Sequence, residues 1–175
     1  TVFYLAHHMV VKTNLFLISG MVERIGGSGD LKSLGGFFRS RGWLAALFFI
    51  PAFSLAGMPP LSGFWAKFIL IKAGLASGHL LLTATAIVVG FLTLYSMTKI
   101  WDGGFWKPAP QRLKTAPPPD SADLRWMALP AAGMALITLW IGLWPEPLAA
   151  VSTRAAEVLM DPGIYVRAVM TGGRP

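Results

Sequence analysis

The 175-residue chain is 54% hydrophobic and only 13% charged, with a formal net charge of +7 and no cysteine. Soluble domains carry roughly a quarter of their residues as Asp, Glu, Lys and Arg, so this composition places the chain in the membrane class and excludes a disulfide framework or thiolate metal centre. The positive excess lies mainly in loops between apolar runs, not on a basic stripe interleaved with aromatics. That pattern excludes nucleic acid as a partner and fits membrane topology.

Thr1 lies within an apolar run, with no charged region or small-residue cleavage site before it, so this is not a signal peptide. The N-terminus reads as truncated, and the fading Met170-Thr171-Gly172-Gly173-Arg174-Pro175 reads as a natural end. The first predicted segment runs over 2–22, apolar apart from His7, His8, Lys12 and Asn14. It ends at Glu23-Arg24 and a glycine-rich turn. Within the loop that follows, 30–38 spaces Leu31, Leu34, Phe37 and Phe38 helically. A short interfacial helix and an ordinary ordered connection fit that stretch equally well.

The second segment covers 43–76. As one continuous helix it would reach ~50 Å, well beyond the ~30 Å of a bilayer core. Its middle, 57–63, holds Gly57, Pro59, Pro60 and Gly63. Adjacent prolines remove backbone donors and break a helix there. One discontinuous crossing or a two-helix hairpin both fit the break. The half before it is short for a full crossing, which favours the discontinuous helix.

The third segment, 79–101, is the cleanest. Tyr95, Trp101, Phe105 and Trp106 at its end read as an aromatic belt at the water boundary. The proline-rich stretch 107–123 reads as an exposed linker. The fourth segment spans 125–144 and stops at Pro145-Glu146-Pro147. A last amphipathic helix, about 148–160, is expected to rest on the membrane surface. The expected fold is thus all-α and integral to the membrane: four segments, one of them discontinuous, plus a short C-terminal surface helix.

If the broken segment crosses once, loops 23–42 and 102–125 share a side and hold eight of the fifteen Lys and Arg residues. The positive-inside rule makes that side cytoplasmic. A hairpin would part the two loops and weaken the asymmetry.

An ionisable side chain at the bilayer centre costs at least ~2.5–3.5 kcal/mol, so its presence needs a reason. Lys67 lies four residues after Gly63, one turn past the break. A broken helix is tolerated where it lines a cavity. A lysine there is partly desolvated and can exchange its proton, and the break and the lysine support each other against simple snorkelling. Lys72, nearer the segment end, reads as a snorkelling anchor. His8 and Lys12, four apart, share a helix face with Tyr4 and form a candidate proton relay. His7 points about 100° away from that face, from 3.6 residues per turn, and takes no part in it. His79, at a segment end, reads as interfacial. No zinc-protease spacing, phosphate loop, carboxylate dyad, haem or iron–sulfur signature is present, so no metal or cofactor is expected.

The stretch Phe3-Tyr4-Leu5-Ala6-His7-His8-Met9-Val10-Val11-Lys12-Thr13-Asn14 resembles the His/Lys helix of the antiporter-like membrane subunits. Leu55-Ala56-Gly57-Met58-Pro59-Pro60-Leu61-Ser62-Gly63-Phe64-Trp65-Ala66-Lys67 is similar to their late discontinuous helix. That family includes proton-pumping subunits of respiratory complex I and large subunits of Mrp-type monovalent cation/proton antiporters. The motif wording, with Asp30-Leu31-Lys32-Ser33-Leu34-Gly35-Gly36 and Leu94-Tyr95-Ser96-Met97-Thr98-Lys99-Ile100-Trp101, is nearest the D-type Mrp subunits. The resemblance implies a transporter subunit rather than an enzyme. It would exchange Na⁺, K⁺ or Li⁺ for protons in a bacterial plasma membrane, in a hetero-oligomer with other Mrp-type subunits. It also implies that His8 and Lys12 match the family's central hydrophilic axis and Lys67 the lysine of its second broken helix. The first repeat's glutamate and lysine have no counterpart here. A complex I-type proton pump is the alternative.

Overall fold

A computed structural model describes residues 1–111, 113, 121–161, 163 and 170. All described secondary structure is helical. Much of the proline-rich stretch expected as a linker, 114–120, lies outside the described residues.

Helix α1 (Val2–Gly26) continues past its apolar run through Glu23 and Arg24, and closes where Gly27 turns left-handed and donates its N–H to Glu23 O at 2.7 Å. Its buried stripe is Phe3, His7, Val11, Asn14, Ile18 and Met21, spaced at the helical period. The following loop is not one helix over 30–38. Asp30 caps a single 3₁₀ turn, Leu31–Ser33, by accepting the Lys32 N–H at 3.0 Å, and a four-residue helix α2 (Phe37–Ser40) comes later. The Gly35-Gly36 pair separates them, and Gly36 N–H donates to Lys107 O at 2.6 Å, which ties this loop to the chain after α5.

Helices α3 (Gly42–Ala56) and α4 (Ser62–Ala76) flank the Pro-Pro element. At 15 residues each, both reach only about 22 Å, short of a bilayer core. Helix α5 (Leu80–Trp101) runs directly into a π-helical turn, Asp102–Trp106. It passes back along both halves: Thr83 packs on Gly74, Gly90 on Lys67, and Trp101 on Phe48 and Phe49. Along α5 the contacts thus run from Trp101 against α3 through Gly90 to Thr83 against α4. Helices α6 (Ser121–Leu143) and α7 (Glu146–Met160) follow, with Pro147 in the first turn of α7, where its missing N–H costs no intrahelical bond.

The core joins α1, α2, α3 and α6 through Ile18, Met21, Phe37, Leu44, Ala45 and Ala131. Phe105 belongs to this core and not to a boundary belt: it is 3% exposed and stacks on Phe48 at 4.7 Å and Trp101 at 5.1 Å. The π turn rotates it inward, while Tyr95 and Trp106 stay exposed. Among the described residues, Leu80–Trp106 and Asp123–Leu143 are long and apolar enough to cross a membrane. The outer face of α5, with Leu81, Leu82, Phe91 and Leu92 exposed, is a continuous apolar surface of the kind lipid or protein must cover.

Candidate functional site

The break between α3 and α4 is built from short-range bonds. Helix α3 ends as Gly57 adopts φ +92°, its N–H shared between Phe53 O (3.1 Å) and Ser54 O (2.9 Å). A side chain at Gly57 would be strained, and its Cβ would stand 2.8 Å from Lys67 Cδ. The lysine stem therefore passes directly over the glycine. Leu61 N–H returns to Met58 O at 3.0 Å, and α4 restarts at Ser62.

Lys67 Nζ donates to Ala56 O at 2.8 Å. Ala56 is the last residue of α3, whose final carbonyls lack intrahelical partners and carry the negative end of the helix dipole. The second half-helix thus delivers its lysine onto the C-terminus of the first. Glycines at 57 and 90 leave room for the stem.

Lys67 faces a cavity of about 270 Å³ that is also lined by Tyr4, His8, Lys12, Gly90 and Thr93. The three titratable residues singled out in the sequence share this one space, although no direct hydrogen bond joins them. The Tyr4 ring stacks on His8, centroids 5.6 Å apart and planes 18° apart, which steadies the imidazole. Lys67 also lines a second cavity of about 350 Å³ with Gly57, Met58, Pro59 and Phe91, which shares Ile71, Ala86 and Gly90 with the first. Lys12 in turn lines a third, of about 440 Å³, that runs past Ser19 to Leu31, Leu34 and Phe105. Two lysines therefore stand at the junctions of three successive spaces.

Lys72 and His79 are exposed and line none of these cavities. Among the described residues no three His, Cys, Asp or Glu side chains gather to hold a metal ion.

Among the buried polar residues that sequence reasoning passed over, two lie on α1. His7 is 2% exposed, and its Nδ1 lies 2.8 Å from Ser62 Oγ. Asn14 is fully buried, its amide end 3.1 Å from Ala131 O and 3.2 Å from Ala135 N; the amide orientation that donates to the first and accepts from the second satisfies both. The signal was the phase of the helix. His7 and Asn14 fall on the stripe of Phe3, Val11 and Ile18, which packs inward, while His8 and Lys12 lie on the flank beside it.

A family of transmembrane proteins described as NADH:quinone oxidoreductase/Mrp antiporter matches residues 1–93. The D-type subunit of the Na(+)/H(+) antiporter of Alkalihalophilus pseudofirmus is 40% identical over 97% of this chain and 34% of its own length. Its counterpart in Bacillus subtilis is 34% identical over the same shares. A solved structure of the Mrp complex from Dietzia sp. DQ12-45-1b contains a similar chain. The match has a TM-score of 0.81 and 34% identity, and covers 95% of this chain and 38% of that one. The chain spans about a third of the length of these relatives.

Proposed function

Because the chain belongs to the NADH:quinone oxidoreductase/Mrp antiporter family of transmembrane proteins, we propose that it forms part of the proton path of a multisubunit Na⁺(K⁺, Li⁺)/H⁺ antiporter. The observation that carries this reading is the single cavity shared by His8, Lys12 and Lys67 beside the helix break.

Helices α1, α5 and α6 each cross the bilayer in this reading, and α3 and α4 together make one discontinuous crossing. Helix α7 lies on the membrane surface, with Val151, Leu159 and Met160 exposed for lipid. Loops 23–42 and 102–125 are cytoplasmic, as their surplus of Lys and Arg requires. The whole works in a bacterial plasma membrane beside other subunits of the antiporter, which supply the rest of the path.

The chemistry is proton exchange at Lys67 Nζ. As an ammonium it rests on Ala56 O; when it hands a proton to water in the shared cavity, its hold on that carbonyl weakens. His8, steadied by Tyr4, accepts and releases the proton within the cavity, and Lys12 passes it toward the third cavity. In the full-length, assembled protein, Lys67→Ala abolishes Na⁺-dependent proton flux while the complex still assembles. Wild-type flux in vesicles carrying that variant would overturn the assignment.

The family's description also covers quinone-linked NADH oxidoreductases, and the same residues serve a proton pump equally well. Neighbouring genes separate the two: small antiporter subunits in one case, quinone- and flavin-binding subunits in the other.

A further inference from the structure

The proton path uses His8 and leaves its neighbour His7 without a task, yet His7 is the better buried of the two. Its Nδ1 meets Ser62 Oγ at 2.8 Å, Ser62 Oγ meets Ser54 Oγ at 3.0 Å, and Ser54 Oγ accepts the Gly63 N–H at 3.1 Å. These four groups come from α1, from the last turn of α3 and from the first turn of α4. Gly63 N–H is one of the amides at a helix start that have no intrahelical acceptor, and Ser54 supplies the acceptor from across the break.

The first bond has a fixed donor, since Gly63 N–H donates to Ser54 Oγ. If each hydroxyl donates once and accepts once, Ser54 O–H donates to Ser62 and Ser62 O–H to His7 Nδ1, the arrangement in which the imidazole is the terminal acceptor. Its other edge is pressed against the backbone: a Cβ on Gly63 would stand 3.1 Å from His7 Nε2. Buried polar chains that are fully satisfied rigidify what they join. The joined parts here are the two half-helices whose relative placement puts Lys67 Nζ on Ala56 O.

We propose that His7 is a positioning residue: through Ser62 and Ser54 it clamps the broken helix to α1 and so sets where Lys67 exchanges its proton. This inference rests on the proposed role of Lys67 in proton exchange. His7 itself carries no proton in the cycle; it acts through the two serines on the geometry of the break.

The test uses the full-length protein in its assembled complex, reconstituted in vesicles, with Na⁺-dependent proton flux as the readout and complex yield as the control for folding. Asn places an amide atom where Nδ1 stands, and Gln places one where Nε2 stands. His7→Asn therefore keeps at least half of the turnover, whereas His7→Gln and Ser62→Ala each lower turnover about tenfold with the KM for Na⁺ unchanged. The double variant His7→Gln/Ser62→Ala is no slower than either single one, because both cut the same chain. Equal loss in His7→Asn and His7→Gln, multiplicative loss in the double variant, or full turnover in His7→Gln overturns the clamp. Lys67→Ala, run alongside, separates the two claims. If it is inactive while His7→Gln is wild type, only the clamp fails; if it is fully active, the proton-exchange reading fails and the clamp falls with it.

Discussion

Gly63→Ala is the smallest change that tests whether the break must have its observed geometry. The new Cβ would collide with the Ser54 carbonyl oxygen, lie 2.7 Å from Ser54 C, and stand 3.1 Å from His7 Nε2. Two of those three atoms belong to the backbone of a packed helix, so no side-chain rotation relieves the clash. Overpacking of this kind costs about 1–3 kcal/mol. Pushing α4 away from α3 also opens the Gly63–Ser54 and Ser54–Ser62 hydrogen bonds, at about 1 kcal/mol each. The sum, about 3–5 kcal/mol, is a large fraction of the 5–15 kcal/mol that holds a typical domain together. The expected result is a lower yield of assembled complex, an earlier thermal transition in detergent, and loss of Na⁺-dependent proton flux in the fraction that assembles. Gly42→Ala is the control, since nothing lies within 4 Å of its added Cβ, and it leaves yield, transition and flux unchanged. Wild-type yield and flux in Gly63→Ala would refute the close approach of Ser54 and Gly63.

Asn14→Ala removes a fully buried amide that bridges α1 to the Ala131–Ala135 turn of α6. The lost hydrogen bonds and the cavity together cost about 2–4 kcal/mol, seen as a lower thermal transition in detergent; an unchanged transition contradicts the bridge. Asp123→Asn breaks the exposed Arg24–Asp123 ion pair, and stability changes by less than about 1 kcal/mol, with the remaining difference shrinking as salt is raised. A larger, salt-independent loss would show that this pair is shielded from water in the assembled protein.

The sequence made the break legible because Pro59 and Pro60 lack backbone donors and glycines flank them; no tertiary information is needed to know that a helix stops there. Lys67, Lys12 and His8 stood out for a similar reason, since ionisable groups inside apolar runs are costly wherever the runs pack. The loop at 30–38 was not legible, because its helical spacing says nothing of Lys107 O, which captures Gly36 N–H from some 70 residues away. Phe105 misled for the same reason: its inward turn depends on a π-helical stretch and on Phe48 across the core.

By itself the sequence determined what is local or compositional: the membrane character, the break at Pro59-Pro60, and which ionisable residues lie inside apolar runs. Only the tertiary structure decided which side of α1 turns inward, because that depends on the phase of one helix against its neighbours. That phase buries His7 and Asn14 and leaves His8 and Lys12 at the cavity. It also decided that Lys67 ends on the carbonyl of Ala56, since two half-helices of known sequence can meet at many offsets until the surrounding side chains select one.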